Sequence, residues 1–182
     1  MKQAISFLIA IILFLISPSA FGQTINNNDY LLSIDDSIHN EYGYVNQKGD
    51  TVIPMGKYSI FFTDTFRTYA IVLKSNHGYI AIDRKENFLF EVFPFDNGPD
   101  YTSEGYFRII ANGKIGFVDS ATGKIIISPQ FDCAFPFNNG IAKVSNNCTL
   151  KFDGEHSTWI SSDWFYIDKS GHKVNPPMNS EK

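Results

Sequence analysis

The sequence has few cysteines and few basic residues, with two Cys and 15 Lys and Arg among 182 positions. The 19 Asp and Glu residues outnumber the basic ones and give a net charge of −4. Nucleic-acid binding requires a basic surface that neutralises phosphates, so this balance argues against nucleic acid as a partner. The same balance provides no electrostatic attraction to an anionic membrane surface.

Sequence signatures of catalysis and of metal binding are also absent. We find no G-x-S-x-G nucleophile elbow and no phosphate-loop, dinucleotide-binding or EF-hand pattern. None of the four histidines stands at metal-ligand spacing from another His, from Cys or from Glu. These histidines are His39, His77, His156 and His172. We therefore expect a protein that is not an enzyme and that holds no metal and no cofactor.

The first 22 residues have the pattern of a secretory signal peptide. Lys2 is the only charged residue before Asp29, and an apolar run at 4–16 follows it. The run is shorter than the roughly 20 residues that span a bilayer, and Ala20 and Gly22 fit a cleavage site after residue 22. No cysteine follows the run, so a lipid anchor is not expected. The sequence predicts export to the periplasm or the cell exterior, with no membrane span after signal removal.

A segment of aromatic and β-branched residues that ends in Asp or Asn occurs four times. Each copy is followed by a short turn sequence and then by further β-forming residues. The copies lie at 42–46, 77–83, 115–119 and 164–168. Their marker positions are Gly43, Gly78, Gly116 and Phe165. The spacings of 35, 38 and 49 residues between these markers are typical of a repeat architecture.

The polar residue that ends each copy is predicted to form a turn. An Asp or Asn side chain at the first turn position accepts a hydrogen bond from the backbone two residues later. The four residues are Asn46, Asp83, Asp119 and Asp168. A carboxylate array with a chemical role is the disfavoured alternative, because each residue stands in its own turn sequence.

The hydrophobic share of 43% predicts a packed core, and no helical periodicity follows the apolar run. Asn-Gly pairs between β-rich segments indicate hairpins at 112–113 and 139–140. About four short strands per unit predict an all-β fold of tandem antiparallel β-meander repeats, either propeller-like or an open curved β-solenoid. A spare strand at 31–34 would pair with the incomplete last unit if the array closed into a ring.

These segments divide the chain into four parts. We expect a signal peptide at 1–22, a leader at 23–29, a β-repeat domain at 30–174 and a disordered tail at 175–182. The repeat domain is expected to hold about three full units and a partial fourth.

The third copy resembles the WG-repeat family of bacterial proteins. The residues that carry the resemblance are Lys114–Asp119, Gly123, Lys124, Ile126, Pro129, Phe131, Asp132, Ala134–Phe137, Gly140 and Ala142. The resemblance covers roughly 42–174, with degenerate copies: Tyr, His and Ile stand at the Trp position of the first three, and Phe165 replaces Gly in the fourth. It implies a bacterial β-repeat scaffold and brings no catalytic residues with it.

The two cysteines, Cys133 and Cys148, flank the predicted 139–140 hairpin. A two-residue loop would place Cys133 opposite Asn146 and leave Cys148 diagonal to it, at the edge of disulfide reach. A bulge would bring the two together. Export permits a disulfide, and two small buried thiols are the alternative.

Two segments depart from the repeat, and individual function tends to lie in such insertions. The first is 98–104, which contains Tyr101, and the second is 146–162, which contains His156 and Trp159. We take Tyr101, His156 and Trp159 as candidate binding residues. Trp159 either stacks on a sugar or partner side chain or fills a gap between unequal units, and large aromatics favour the second role.

Three functions fit these features. The leading hypothesis is an exported, non-catalytic repeat scaffold that binds a protein or glycan partner. The alternatives are a secreted hydrolase with a site from Asp153, Glu155 and His156, and an envelope component that self-associates through open sheet edges. The sequence predicts neither the identity of the partner nor the oligomeric state.

Overall fold

The structure is a computed structural model that describes residues 29–154 and 156–175. Within these ranges the chain forms nineteen β-strands and no helix. In chain order the strands are β1 (Leu31–Asp36), β2 (Glu41–Val45), β3 (Thr51–Ile53), β4 (Ile60–Phe61), β5 (Thr65–Phe66), β6 (Tyr69–Lys74), β7 (Gly78–Asp83), β8 (Phe88–Val92), β9 (Pro94–Phe95), β10 (Gly98–Pro99), β11 (Tyr106–Ala111), β12 (Lys114–Asp119), β13 (Ile125–Phe131), β14 (Cys133–Ala134), β15 (Ile141–Ser145), β16 (Thr149–Asp153), β17 (His156–Ile160), β18 (Phe165–Asp168) and β19 (Lys173–Val174).

Some predicted segments lie outside the described residues. These are the signal peptide at 1–22, the leader up to residue 28, Glu155 and the tail from residue 176. In the described part of the chain, no helix has the length and apolar character needed to cross a membrane.

The strands form three antiparallel sheets and two ribbons. The sheet orders are β3-β2-β1-β5, β13-β12-β11-β8-β7-β6-β4 and β14-β15-β18-β19, and the ribbons are β9-β10 and β16-β17. The sheets curl into a half-barrel. The predicted all-β fold of antiparallel repeats is confirmed.

Each repeat is a three-stranded meander. The four meanders are β1-β2-β3, β6-β7-β8, β11-β12-β13 and β15-β18-β19, with the β16-β17 ribbon inserted into the last one. The strand predicted as a spare element is therefore the first strand of the first meander. It pairs with β2 and β5 and not with the last unit, so it does not close a ring.

The middle strands of the second and third meanders, β7 and β12, are buried on both faces because neighbouring meanders pack against them. On β7, Ile80 and Ile82 join a buried cluster with Tyr44 of the first meander. Ala81, on the opposite face of β7, joins a second cluster with Phe107 of the third meander. A third cluster links the third and fourth meanders. Contacts between adjacent units are the basis of stability in repeat proteins.

The glycines of the first and third copies are required by a close approach of the backbone. A Cβ added at Gly116 would clash with the carbonyl oxygen of Ile127 and would lie 2.6 Å from the nitrogen of Pro129. A Cβ added at Gly43 would lie 2.9 Å from the carbonyl oxygen of Ile53. In the third meander the pairing between β12 and β13 shifts register between Ile115 and Phe117, on either side of Gly116, and in the first meander it shifts after Tyr44. The third strand then lies over the glycine.

The second meander lacks this glycine. Its register shift follows Ala81, so the equivalent residue is Ile80 and not Gly78, the marker predicted from the sequence. Gly78 instead lies beside the β6–β7 turn with a φ of +75°. Ile80 fits because β8 stays in register there and pairs Glu91 directly with it. The equivalent positions 43, 80, 116 and 165 are then 37, 36 and 49 residues apart.

The predicted turn role of the recurring polar residues is confirmed. The backbone nitrogen of Lys48 donates to Asn46 Oδ1 at 2.8 Å, and that of Ser170 donates to Asp168 Oδ1 at 2.9 Å. The second copy contains the equivalent bond, and in the third the donor to Asp119 is the backbone nitrogen three residues later. Both predicted Asn-Gly hairpins are present, with positive φ at each Asn and Gly.

These turns predict a loss of stability in acid. The hydroxyl and the backbone nitrogen of Thr122 donate to Asp119 and hold the pKa of its carboxyl below the usual value of 3.8. A carboxyl group whose pKa is lowered in the folded state contributes stability that is present at pH values above its usual pKa. This stability is lost as the pH falls through the folded-state pKa. Asp119→Asn keeps the acceptor oxygen, as Asn46 does in the first copy, but does not titrate.

We therefore expect acidification to destabilise the Asp119→Asn variant less than the wild type. The measurement is urea unfolding of both proteins at neutral pH and at about pH 2.5, below the usual range of carboxyl pKa values. Equal losses of unfolding free energy in the two proteins would contradict this account of the turn.

Candidate functional site

The two insertions predicted from the sequence meet across one cleft of about 560 Å³. The 98–104 insertion contributes Tyr101, and the 146–162 insertion contributes residues of the β16-β17 ribbon. The full lining is Phe93, Pro94, Phe95, Asp96, Tyr101, Arg108, Phe135, Pro136, Leu150, Ser157, Thr158 and Trp159. Ligand sites in proteins are typically apolar clefts of roughly 300–1,000 Å³, so the cleft has the size of a binding site.

One wall is the β16-β17 ribbon. Its register pairs Leu150 with Trp159 and Phe152 with Ser157. Directly paired residues lie on the same face of a sheet, so these four side chains share one face. Three of them line the cleft, and Phe152 extends the apolar face beyond it with 71% of its surface exposed. The ribbon thus presents a largely apolar face to the cleft.

The opposite wall consists of two Phe-Pro segments, at 93–95 and 135–136. The rings of Phe93 and Phe135 meet Trp159 edge to face, at centroid distances of 5.8 and 5.5 Å. Proline cannot donate to a strand ladder and is confined to strand edges or bulges. The segments therefore lie at the margin of the sheets, where their aromatic side chains border the cleft.

The floor is Arg108, which lines the cleft and forms a buried ion pair with Asp100, a residue that is not among the described lining residues. Arg108, which is 3% exposed, donates from Nε to Asp100 Oδ2 at 2.9 Å and from a terminal nitrogen to Asp100 Oδ1 at 2.5 Å. Its other terminal nitrogen donates to the carbonyl oxygen of Ala134 at 3.0 Å. The guanidinium lies 4.4 Å from the centroid of the Phe93 ring. Arg108 thus ties β11 to the first insertion, to β14 and to the Phe-Pro wall.

The cleft is close to neutral. The bidentate contact with Asp100 balances the charge of Arg108, and Asp96 is the remaining charged residue among the described lining residues. Ser157 and Thr158 supply hydroxyl groups. Aromatic and aliphatic side chains form most of the surface, so the cleft suits a neutral ligand with apolar groups.

The structure places two of the three predicted binding residues in this cleft. Tyr101 is 50% exposed and meets Phe95 edge to face at 5.2 Å. Trp159 is partly buried, packs on the Phe-Pro wall and also borders the cleft, and its binding role stays a prediction. The third residue, His156, pairs with Asp153 at the end of the ribbon, and its side chain lies outside the described part of the structure.

Of the three residues of the hydrolase hypothesis, only Asp153 has a described side chain, and it is not among the described lining residues. Asp153 is exposed at the end of the ribbon, and Glu155 lies outside the described residues. Among the described carboxylates, those with a lowered pKa lie in turns or contact a turn. Glu104 contacts a turn, and the hydrogen bond from the backbone N–H of Gly140 is the main cause of its lowered pKa. In the ranges that the structure describes, no cluster of three or more His, Cys, Asp or Glu residues is arranged to hold a metal ion.

The floor and one wall of the cleft were not predicted from the sequence. The sequence does contain a feature that indicates the floor. Arg108 is the only charged residue of the otherwise apolar strand β11, and a buried charge requires a partner. The partner, Asp100, lies in the insertion that was singled out for Tyr101. The signal for the wall is the repeated Phe-Pro pair, because proline places its neighbours at a sheet margin.

A disulfide joins the ribbon to the Phe-Pro wall. Cys133 in β14 is bonded to Cys148, and their Cα atoms are 6.2 Å apart. Cys133 pairs with Ser145 and not with Asn146 as expected, because the register shifts by one residue along this hairpin. The hydroxyls of Ser145 and Ser161 lie 2.8 Å apart at the other end of the insertion. Both ends of the insertion are thus anchored.

We expect reduction of the disulfide to lower the unfolding free energy by about 3 kcal/mol, the loop-closure contribution of a 15-residue loop. Intact mass after alkylation is the direct measurement. No alkyl group should be added without reductant and two should be added with it. Two alkylated thiols in the unreduced protein would show that the bond does not form.

Comparison with family models agrees with this architecture. The model described as "WG containing repeat" matches residues 42–59 and 115–147. The match confirms the predicted resemblance in these two segments. The matched segments contain Gly43 and Gly116, the two glycines beneath the third strand of their meanders. No curated protein and no solved structure matches the chain.

Proposed function

We propose that the chain is an exported, non-catalytic binding module that holds a protein or glycan partner in the aromatic cleft. The observation that carries the proposal is the meeting of the two insertions. Both depart from the repeat, and both contribute side chains to one cleft of binding-site size. Loops and ribbons held on a rigid scaffold are a common location for binding residues.

The chemistry of the cleft favours binding over catalysis. The Arg108 and Asp100 side chains are committed to each other. The recurring carboxylates serve their own turns. The export part of the proposal rests on the N-terminal sequence pattern, and a disulfide is compatible with an oxidising compartment.

The test is affinity capture from an envelope extract of the source organism. The bait is the tagged chain, purified after export in a bacterial host, as wild type, Trp159→Ala and Phe88→Ala. Phe88 is the matched control because it is an aromatic residue that is 62% exposed and lies outside the cleft lining. Mass spectrometry identifies retained protein and glycan.

We expect one partner to be retained by the wild type and by Phe88→Ala and to be lost with Trp159→Ala. A partner that all three baits retain would move the binding surface away from the cleft. Turnover of a retained molecule by the wild type would contradict the non-catalytic role.

A further inference from the structure

We infer that the cleft binds an extended peptide segment of a protein partner, which adds as a third strand to the β16-β17 ribbon along β17. Alternate apolar side chains of the peptide then enter the cleft. This inference rests on the proposed binding function and specifies the class of partner.

The first observation is a free strand edge beside the cleft. Among the described strands, β17 pairs only with β16, so its outer edge has no strand partner. Side chains alternate along a strand, yet three consecutive residues, 157–159, line the cleft. The edge of β17 therefore borders the cleft together with its apolar face. Unpaired backbone groups along such an edge are the donors and acceptors that an added strand uses.

The second observation is the scarcity of free polar side chains in the cleft. Arg108 already donates to Asp100 and to Ala134. Apart from the rim residues Asp96 and Tyr101, the polar side-chain groups that remain in the described lining are the hydroxyls of Ser157 and Thr158 and the indole N–H of Trp159. A sugar has a hydroxyl group on most of its carbons and would lose hydrogen bonds to water there without replacement.

A peptide avoids this loss of hydrogen bonds. Its backbone pairs with the β17 edge, and its apolar side chains contact the rings of Trp159, Phe93 and Phe135. Side chains on one face of a strand lie about 7 Å apart, so alternate side chains of the peptide would face the cleft. The near-neutral lining predicts that these side chains are uncharged, with aromatic or aliphatic groups at every second position.

The experiment begins with a displayed library of linear ten-residue peptides. The bait is the full chain purified after export, and binders retained by Trp159→Ala are removed. The best peptide is synthesised in three forms: unmodified, N-methylated at the amides of odd-numbered residues, and N-methylated at those of even-numbered residues. Alternate amides of an added strand point to opposite sides, so only one methylated form blocks the bonds to β17. Calorimetry measures each form against wild type, Trp159→Ala and Phe88→Ala.

We expect enriched peptides to have apolar residues at alternate positions. Binding should weaken at least 10-fold with Trp159→Ala and change less than 3-fold with Phe88→Ala. One methylated form should lose at least 10-fold in affinity and the other should bind nearly as well as the unmodified peptide. Equal losses for both forms would exclude strand addition.

Failure of this inference is distinguishable from failure of the binding function. The same calorimetry is run with neutral glucan and chitin oligosaccharides. If no peptide is enriched and an oligosaccharide binds in a Trp159-dependent manner, the peptide inference is overturned and the proposed binding function is supported. If neither class binds, the peptide inference is overturned, and affinity capture decides the proposed function separately.

Discussion

Replacement of Asp100 by alanine is expected to lower the unfolding free energy by about 4 kcal/mol. The variant leaves the guanidinium of Arg108 buried without a counter-charge, and breaking a buried ion pair on one side costs about 3–5 kcal/mol. The Asp100 side chain is fully buried, so water does not replace the carboxylate without rearrangement. The backbone nitrogen of Arg108 also loses its acceptor, Asp100 Oδ2 at 2.8 Å.

A double variant separates the charge effect from the loss of packing. Asp100→Leu with Arg108→Met removes both charges and retains apolar volume, so it should recover more than half of the lost stability. Recovery is partial because the backbone nitrogen at position 108 still lacks its acceptor. Urea unfolding measures both proteins. A loss below about 1 kcal/mol in the single variant, or a double variant no more stable than the single one, would contradict this account.

Replacement of Gly116 by alanine is expected to cost about 4 kcal/mol, which is large for the addition of one methyl group. The new Cβ would meet backbone atoms of Ile127, Ser128 and Pro129, and backbone cannot move aside as the end of a flexible side chain does. The third strand of the meander would have to lift away from β12. Both strands contribute to the cluster that packs the third meander against the fourth.

Gly98 provides the matched control for this prediction. It also lacks a positive φ, and an added Cβ there has no neighbour within 4 Å. Gly98→Ala should therefore change the unfolding free energy by less than about 0.5 kcal/mol. Thermal and urea unfolding of the two variants in parallel is the measurement. Similar stability of the two variants would show that the close approach at Gly116 does not constrain the repeat.

Local chemistry made the turns and the repeat predictable. An Asp or Asn side chain forms its turn with residues two to four positions away, so the turns at Asp119 and Asp168 could be inferred without tertiary contacts. The Asn-Gly hairpins follow from the same short-range rule. The all-β fold then follows from regular spacing of turn signals between β-forming segments.

Register and long-range pairing were not predictable in the same way. The sequence alignment took Gly78 as a repeat marker because its neighbours resemble the other copies, but strand pairing makes Ile80 the equivalent position. Glycine is needed only where the backbone of the third strand passes close to it, as at Gly43 and Gly116, and that approach depends on tertiary structure. The role of the 31–34 strand likewise depends on pairing with β2, which the sequence does not specify.

The cleft could be predicted only in part. Departure from the repeat correctly singled out Tyr101 and Trp159, because insertions are visible in sequence. That the two insertions meet depends on how the third and fourth meanders pack. Arg108 and Asp100 are only eight residues apart, yet their burial at the cleft floor also depends on Ala134 and Phe93.

Site-specific photocrosslinking in cells of the source organism tests the central claim most directly. A benzophenone amino acid replaces Tyr101 at the rim of the cleft, or Phe88 as the exposed control outside it. The account predicts a discrete crosslinked adduct from position 101 that disappears when Trp159→Ala is added, and no such adduct from position 88. Absence of an adduct at position 101, or the same adduct from both positions, would contradict the assignment of the cleft as the binding site.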